Sequence, residues 1–463
     1  MTQVAVTPIS ASTASGAAQA TTGPSFRLNT FQVLMRRWAK LHPYNAGQVM
    51  HVTGSGDAER WKQAIEAVIG PLGLGVPQFS AGDLEVRFAP VADVTVEHGT
   101  NDFVAFVNEE LNRPFAPNDL PIRFAILPRN DGTHYLAAFY DHWIGDSRAM
   151  RELMQRIFAQ YQNPEAAQRL TPLTLHAPEF KKIFRQRMGW LHRSAPIRES
   201  IRNVWRHRHA FRINLVDPLD FNARFACATL PAGVIDRVYR FAKLHNASVN
   251  DAFVAVLGQA MGVYTAAARG KRVTPRFHFE RQHIGVGTIV DIRDAATEPL
   301  DNVFGLYLSS YTSLLDYPEN STVDKLIGPI ARYTRRVKKS YSTVRGYAAL
   351  VMARFWYDHY GKDKDRFKAQ FFHKTVPMAA GISNVNMTKS WADQMHDPAD
   401  ETPQILDYLR ISPVGPLIPV VFTLTTIRDR LSLCVTYRST AISDADATKL
   451  VEDFNRRLEG ITP

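Results

Sequence analysis

Cysteine is almost missing from this 463-residue chain: only Cys227 and Cys434 occur. Two cysteines so far apart make neither a disulfide framework nor a metal-ligating spacing. Their strand-like settings, "FACATL" and "LSLCVTY", mark both as core positions. Such usage suits a reducing cytoplasm. No cluster of metal ligands and no Gly-rich phosphate loop is legible, so no metal and no permanently bound nucleotide cofactor is expected. No apolar run approaches the roughly 18 residues that span a bilayer. The first 25 residues contain no Lys or Arg. Lacking a basic start and an apolar centre, they are not a secretory signal and read as a disordered leader rich in Ala, Ser and Thr. Internal repeats and nucleic-acid-binding modules are absent as well.

What is present is an ordinary globular composition with an uneven positive charge. The net charge is +11. Between Glu179 and Arg212 ten Lys/Arg stand against two Glu, and a second basic stretch runs from Lys325 to Lys374. Such a field favours an anionic partner: a phosphorylated cofactor, an acidic carrier protein or an anionic membrane. A plain solvated surface is the alternative. The stretch "FKKIFRQRMGWLHR" keeps helical apolar spacing through Phe180, Ile183, Phe184, Met188 and Leu191. It suits either a membrane surface or packing between lobes with its arginines in water.

Hydropathy patterning alternates strands and helices in both halves. "DAERWKQAIEAVIG" predicts a helix capped by Asp57 and stopped at Gly70. "IRFAILPR" and "HYLAAFYD" predict a hairpin across "NDGT". Met150, Leu153, Met154, Ile157, Phe158 and Tyr161 form the clearest helical stripe. A long helix follows a cap at Ser248 or Asn250. Later come strands in "GVGTIVDIR" and "FGLYLSSYT", and a hairpin turning at Asp429-Arg430. These elements imply an α/β protein: a leader over 1–25, a first lobe over 26–170, a basic connector over 171–215 and a second lobe over 216–463.

A His and an Asp four residues apart occur four times: His98/Asp102, His142/Asp146, His359/Asp363 and His396/Asp400. The spacing alone is therefore worthless, and setting must discriminate. Only His142 closes an apolar strand and is followed by Gly145 and a well-formed helix. An imidazole there can take a proton from an attacking hydroxyl or amine and return it to a leaving group. Asp146, one turn on, is free to brace the loop by pairing with an arginine.

In this strand–turn–helix setting "DHWIGDS" resembles the His-His-x-x-x-Asp-Gly motif of the acyltransferases that include chloramphenicol acetyltransferase, nonribosomal peptide condensation domains and wax ester synthase/diacylglycerol acyltransferases. "NRPFAPNDLPIRFAIL" resembles the stretch before that motif in condensation domains. "ASVNDAFVAVLGQAM", "IVDIRD", "DNVFGLYLSSY" and "GISNVNM" resemble segments of the wax synthase group, in the same order. The resemblance implies two chloramphenicol-acetyltransferase-like lobes, each a mixed sheet covered by helices, with an active-site channel between them. It implies His142 as general base and Asp146 paired with Arg293 as structural support. Asp141, Gly145, Ser147, Ser383 and Asn384 would line the channel. The donor would be a coenzyme A thioester or a phosphopantetheinyl acyl carrier protein, and the acceptor a small alcohol or amine. Two positions depart from the motif: Asp141 replaces the first His and Ser147 the Gly. Asp141 motivates a competing expectation, a non-catalytic scaffold that binds carrier or lipid. The expected location is cytoplasmic, with peripheral contact to the inner membrane surface as an option.

Overall fold

The alternation of patterns resolves into two main sheets, each with its own helices. The computed structural model describes residues 25–91, 93–100, 102–175, 180–184, 206–207, 209–269, 283–361, 364–376, 378–392 and 402–462, without the side chains of 180–181 and 345–349. In chain order come β1 (Phe26–Arg27), α1 (Thr30–Ala39), β2 (Asn45–Thr53), α2 (Ala58–Leu72), β3 (Val76–Phe79) and β4 (Glu85–Ala89). Next are β5 (Val96–His98), α3 (Phe103–Asn112), β6 (Ile122–Pro128), β7 (Thr133–Asp141), α4 (Ser147–Gln162) and α5 (Pro164–Ala167). The middle holds β8 (Thr174–Leu175), α6 (Phe180–Ile183), β9 (Ala223–Leu230), α7 (Val234–Leu244) and α8 (Val249–Arg269). Then follow β10 (His283–Asp291), β11 (Val303–Phe304), β12 (Leu308–Asp316), α9 (Val323–Lys339), α10 (Ser342–Tyr360) and α11 (Asp365–Thr375). The chain finishes with β13 (Ala380–Asn386), β14 (Ile405–Ile411), β15 (Val420–Ile427), β16 (Arg430–Arg438) and α12 (Asp444–Glu459).

The first sheet runs β14-β2-β7-β6-β5 and the second β12-β10-β13-β15-β16-β9. Both are mixed: β5–β6, β10–β13 and β13–β15 pair in parallel, the other neighbours antiparallel. The expected two-lobed α/β class is what the chain adopts. One strand changes sides. The sequence assigned 216–463 wholly to the second lobe, yet β14 pairs with β2 in the first sheet. Its residues alternate no differently from the other late strands, so only pairing reveals the exchange.

Smaller differences have local causes. Helix α2 is capped by Asp57 as expected, but it runs through Gly70 and Pro71 and stops at Gly73. Gly73 has φ +73°, the left-handed cap geometry that glycine adopts without a Cβ penalty. The β15–β16 hairpin turns at Arg428-Asp429, because Ile427 already pairs with Arg430. "FGLYLSSYT" enters β12 only at Leu308; the preceding backbone is committed to Asp146, as described below. Ser248 supplies the α8 cap, exchanging bonds with Asp251. Although interrupted by polar residues, α8 is long and apolar enough to cross a membrane. It lies instead in the second core, packed on β10, β13, α7, α9 and α12.

Cys434 is buried, but Cys227 is exposed on the edge strand β9, directly opposite it in register. The core expectation therefore holds for one cysteine and fails for the other. Most of the basic segment "FKKIFRQRMGWLHR" lies outside the described residues. Of its apolar residues, Ile183 and Phe184 are buried in the first core, which favours packing over membrane contact at that point.

Candidate active site

Strand β7 delivers His142 to the junction of the two sheets. Ile144 N–H donates to Asp141 O and closes a tight turn, and α4 begins at Ser147. The imidazole is buried, stacked on Tyr44 with Tyr140 edge-on. Nδ1 lies 3.0 Å from Gly145 O. A carbonyl can only accept, so Nδ1 carries the proton and Nε2 keeps its lone pair. Burial lowers the pKa of His142 below 6.5, and the bond to Gly145 and the charge of Asp146 only partly offset it. At neutral pH the ring is an uncharged base.

Asp146 does not touch the imidazole. One carboxylate oxygen accepts from the amides of Arg148 (3.0 Å) and Ala149 (2.9 Å), capping α4. The other accepts from Arg293 Nη1 (2.8 Å) and the Tyr307 amide (2.7 Å). Asp146 N–H donates to Gly305 O, and Arg293 Nη2 also reaches Gly305 O at 3.3 Å. Burial alone would raise this carboxyl, but Arg293 and the amides outweigh it and hold its pKa below the usual value. The pair ties the first lobe's His142 turn to the second lobe's backbone.

A cavity of about 60 Å³ opens beside His142. Its wall combines Tyr44, Gln48, Tyr140 and Ser147 from the first half with Ser309, Ser383 and Arg410 from the second. Of the residues the sequence assigned to the channel, Ser147 and Ser383 line it. Asn384 does not: it neighbours Ser383 on β13, and adjacent side chains on a strand point to opposite faces. Asp141 also lies off the wall, paired with Arg36 at 3.4 Å, and burial raises its pKa to about 6. Gly145 contributes its carbonyl to His142 rather than a surface; a Cβ there would meet Phe304 at 3.2 Å.

Of the other three His/Asp pairs, only His98/Asp102 is fully described, and it is not built this way. His98 is exposed and Asp102 caps α3. His359 is exposed on α10, stacked on Phe355, while Asp363, His396 and Asp400 lie outside the described residues. The reading missed Gln48, Tyr140 and Arg410. Arg410 had a signal, a cation inside the apolar run "YLRI"; the other two looked like ordinary strand residues.

The sequence matches no protein-family model and no curated protein. Solved structures do match. The condensation domain of the monacolin K polyketide synthase aligns at 15% identity with TM-score 0.59, over 94% of this chain and 96% of that one. The epimerization domain from the third module of tyrocidine synthetase B aligns at 14% and 0.58, over 95% and 96%. Polyketide synthase associated protein 5 from Mycobacterium tuberculosis aligns at 12% and 0.56, over 93% and 96%. At these identities the likeness is one of fold: this chain has the two-lobed fold of condensation domains.

Proposed function

We propose that this chain transfers an acyl group from a coenzyme A or carrier-protein thioester to a hydroxyl acceptor, with His142 as general base. The observation that carries the reading is the fixed tautomer: a buried, neutral imidazole whose Nδ1–H is held by Gly145 O, leaving Nε2 to accept at the cavity. Nε2 takes the acceptor's proton as its oxygen attacks the thioester carbonyl carbon. The tetrahedral oxyanion then collapses, the C–S bond breaks, and the thiolate takes the proton back from Nε2. Asp146 and Arg293 hold the turn and exchange no proton with the ring. An amine acceptor, giving an amide, fits the same base equally well.

The test is thiol release and intact-mass detection with acyl-CoA and acyl-carrier thioesters, offered alcohols and amines. Acceptor-dependent product in wild type, lost in His142→Ala, is the expected result. A folded wild type that binds carrier without turnover would favour the scaffold reading that Asp141 motivates.

The partner surface belongs to the same proposal. Exposed basic residues on α9 and at the start of α11, among them Arg332, Arg335, Lys338, the cap residue Lys364 and Arg366, suit an anionic donor. Between them α10 exposes Val351, Met352, Phe355, Trp356 and Tyr360. Rings flanked by cations suit the interface of an anionic membrane. Flotation with anionic vesicles at low salt, lost in Phe355→Glu, is expected; a protein that stays at the bottom refutes this contact. Two free thiols facing each other fit a reducing compartment, so we place the protein in the cytoplasm.

A further inference from the structure

The cavity beside His142 holds a buried cation that no carboxylate neutralises. Arg410 reaches it from β14, the strand that changes sheets. Nε donates to Thr425 Oγ1 (3.1 Å), Nη1 to Ser383 Oγ (3.0 Å) and Ser147 Oγ (3.4 Å), and Nη2 to Ser383 O (2.9 Å) and Leu424 O (2.6 Å). Every acceptor is neutral, and among the described residues no acidic group lies within ion-pair distance. Burial, reinforced by nearby Arg151, pulls the guanidinium pKa down to about 9, so it stays charged at neutral pH. Arg293, also buried, shows the ordinary solution: it has Asp146 and Asp291. An unpaired buried charge is costly, and a protein that keeps one at a cavity wall has a use for it.

The neighbours of Arg410 say what would complete it. Ser147 Oγ accepts from Arg410 and from Gln48 Nε2 (3.3 Å), and Ser383 Oγ accepts from Arg410. Among the described residues neither hydroxyl donates to a protein acceptor, so each O–H is left for a ligand. The α4 N-terminus itself is already occupied by the Asp146 carboxylate, so the two hydroxyl donors backed by the Arg410 cation form the anion cradle. On the same wall stand two acceptors, His142 Nε2 and the Gln48 carbonyl oxygen, which is buried without a hydrogen-bond partner among the described residues. A small cavity with an anion cradle on one side and a base on the other matches a compact molecule carrying a carboxylate and a nearby hydroxyl or amine.

We propose that the acyl acceptor is a small hydroxy or amino acid, whose free carboxylate is held by Arg410, Ser383 and Ser147 while its nucleophile faces His142. This rests on the acyltransferase reading above and narrows its acceptor. Arg410 is then a specificity-determining residue that also ties the lobes together.

The test separates binding from turnover. Glycolate, lactate, 3-hydroxybutyrate and serine are titrated by calorimetry against wild type, each beside its neutral amide, with inorganic phosphate as an anion control. Acids are expected to bind at least roughly tenfold more tightly than their amides, because a hydrogen bond to a charged group that the amide lacks contributes about 1.5–3 kcal/mol. Arg410→Gln should erase that margin, Arg410→Lys should restore part of it, and His142→Ala should leave it intact. Should Arg410→Gln fail to fold, Ser383→Ala, which keeps the cation, is expected to weaken acids and spare amides. A wild type that shows no preference for acid over amide overturns the proposal. So does an Arg410→Gln enzyme that loses turnover equally with acid and amide acceptors, because that pattern belongs to stabilisation of the transition-state oxyanion. Acid-selective binding without any acyl transfer would sink the acyltransferase reading and leave the carboxylate site standing.

Discussion

Two carboxylates five residues apart, Asp141 and Asp146, share one turn and respond to it in opposite ways. Burial raises the pKa of Asp141 from 3.8 to about 6, and Arg36 at 3.4 Å with Trp143 only partly offsets it. A raised carboxyl favours the folded state at low pH, and that contribution fades as pH climbs from about 4 through about 6. Asp141→Asn is therefore expected to stabilise the protein at pH 7 by on the order of 2 kcal/mol, with the difference vanishing near pH 4 in urea melts. A destabilised variant at pH 7 would mean the Arg36 pair outweighs the burial cost. Asp146 is the reverse case: its lowered pKa gives stability that is present above 3.8 and lost as pH falls below it. Asp146→Asn leaves Arg293 to its longer pair with Asp291 at 3.2 Å and removes the acceptor of the Tyr307 amide, and should cost about 3 kcal/mol. His142→Ala should reduce kcat/KM by about 10²–10⁴, while lowering the melting temperature modestly through loss of the ring's packing and its bond to Gly145 O. Because burial lowers the imidazole pKa, wild-type kcat/KM should fall only on an acid limb below pH 6.5, and a limb above that value would contradict the neutral-base assignment.

Among the elements, α2 offers a clean check on how glycine acts by position. Gly70 is inside the helix and Gly73 ends it in the left-handed conformation; a Cβ at either meets no atom within 4 Å. Gly70→Ala should stabilise by about 0.5–1 kcal/mol through backbone entropy, whereas Gly73→Ala should destabilise by about 1 kcal/mol through a strained φ. Equal signs would mean the helix ends elsewhere. Helix α4 was legible because its buried stripe is continuous from Met150 to Tyr161. The strand expected in "FGLYLSSYT" was only half legible. Gly305 O accepts from Asp146 N–H and Tyr307 N–H donates to the Asp146 carboxylate 161 residues away along the chain, contacts that no local pattern announces.

On the scale of the molecule, β14 makes the lobes one unit. It starts in the second half, pairs with β2 in the first sheet, and sends Arg410 back to β13 and β15. One hydrophobic cluster runs from Phe31 through Phe304 and Tyr408 to Cys434, crossing between lobes. Heat unfolding should accordingly be a single transition with calorimetric and van't Hoff enthalpies equal. Two resolved transitions would show that the crossing strand does not couple the halves.

The sequence by itself determined the α/β class, the two-lobed plan and the strand–turn–helix that presents His142. Each follows from local periodicity, capping and turn chemistry, which act within a few residues. Tertiary structure alone decided that β14 joins the first sheet, that Asn384, Asp141 and Gly145 lie off the cavity wall, and that Arg410 stands on it beside Ser147 and Ser383. Pairing between distant strands and the direction of a side chain relative to a second lobe depend on hydrogen-bond ladders and packing between segments hundreds of residues apart. Alternation says that a strand has two faces; only the partner it finds says which face meets the substrate.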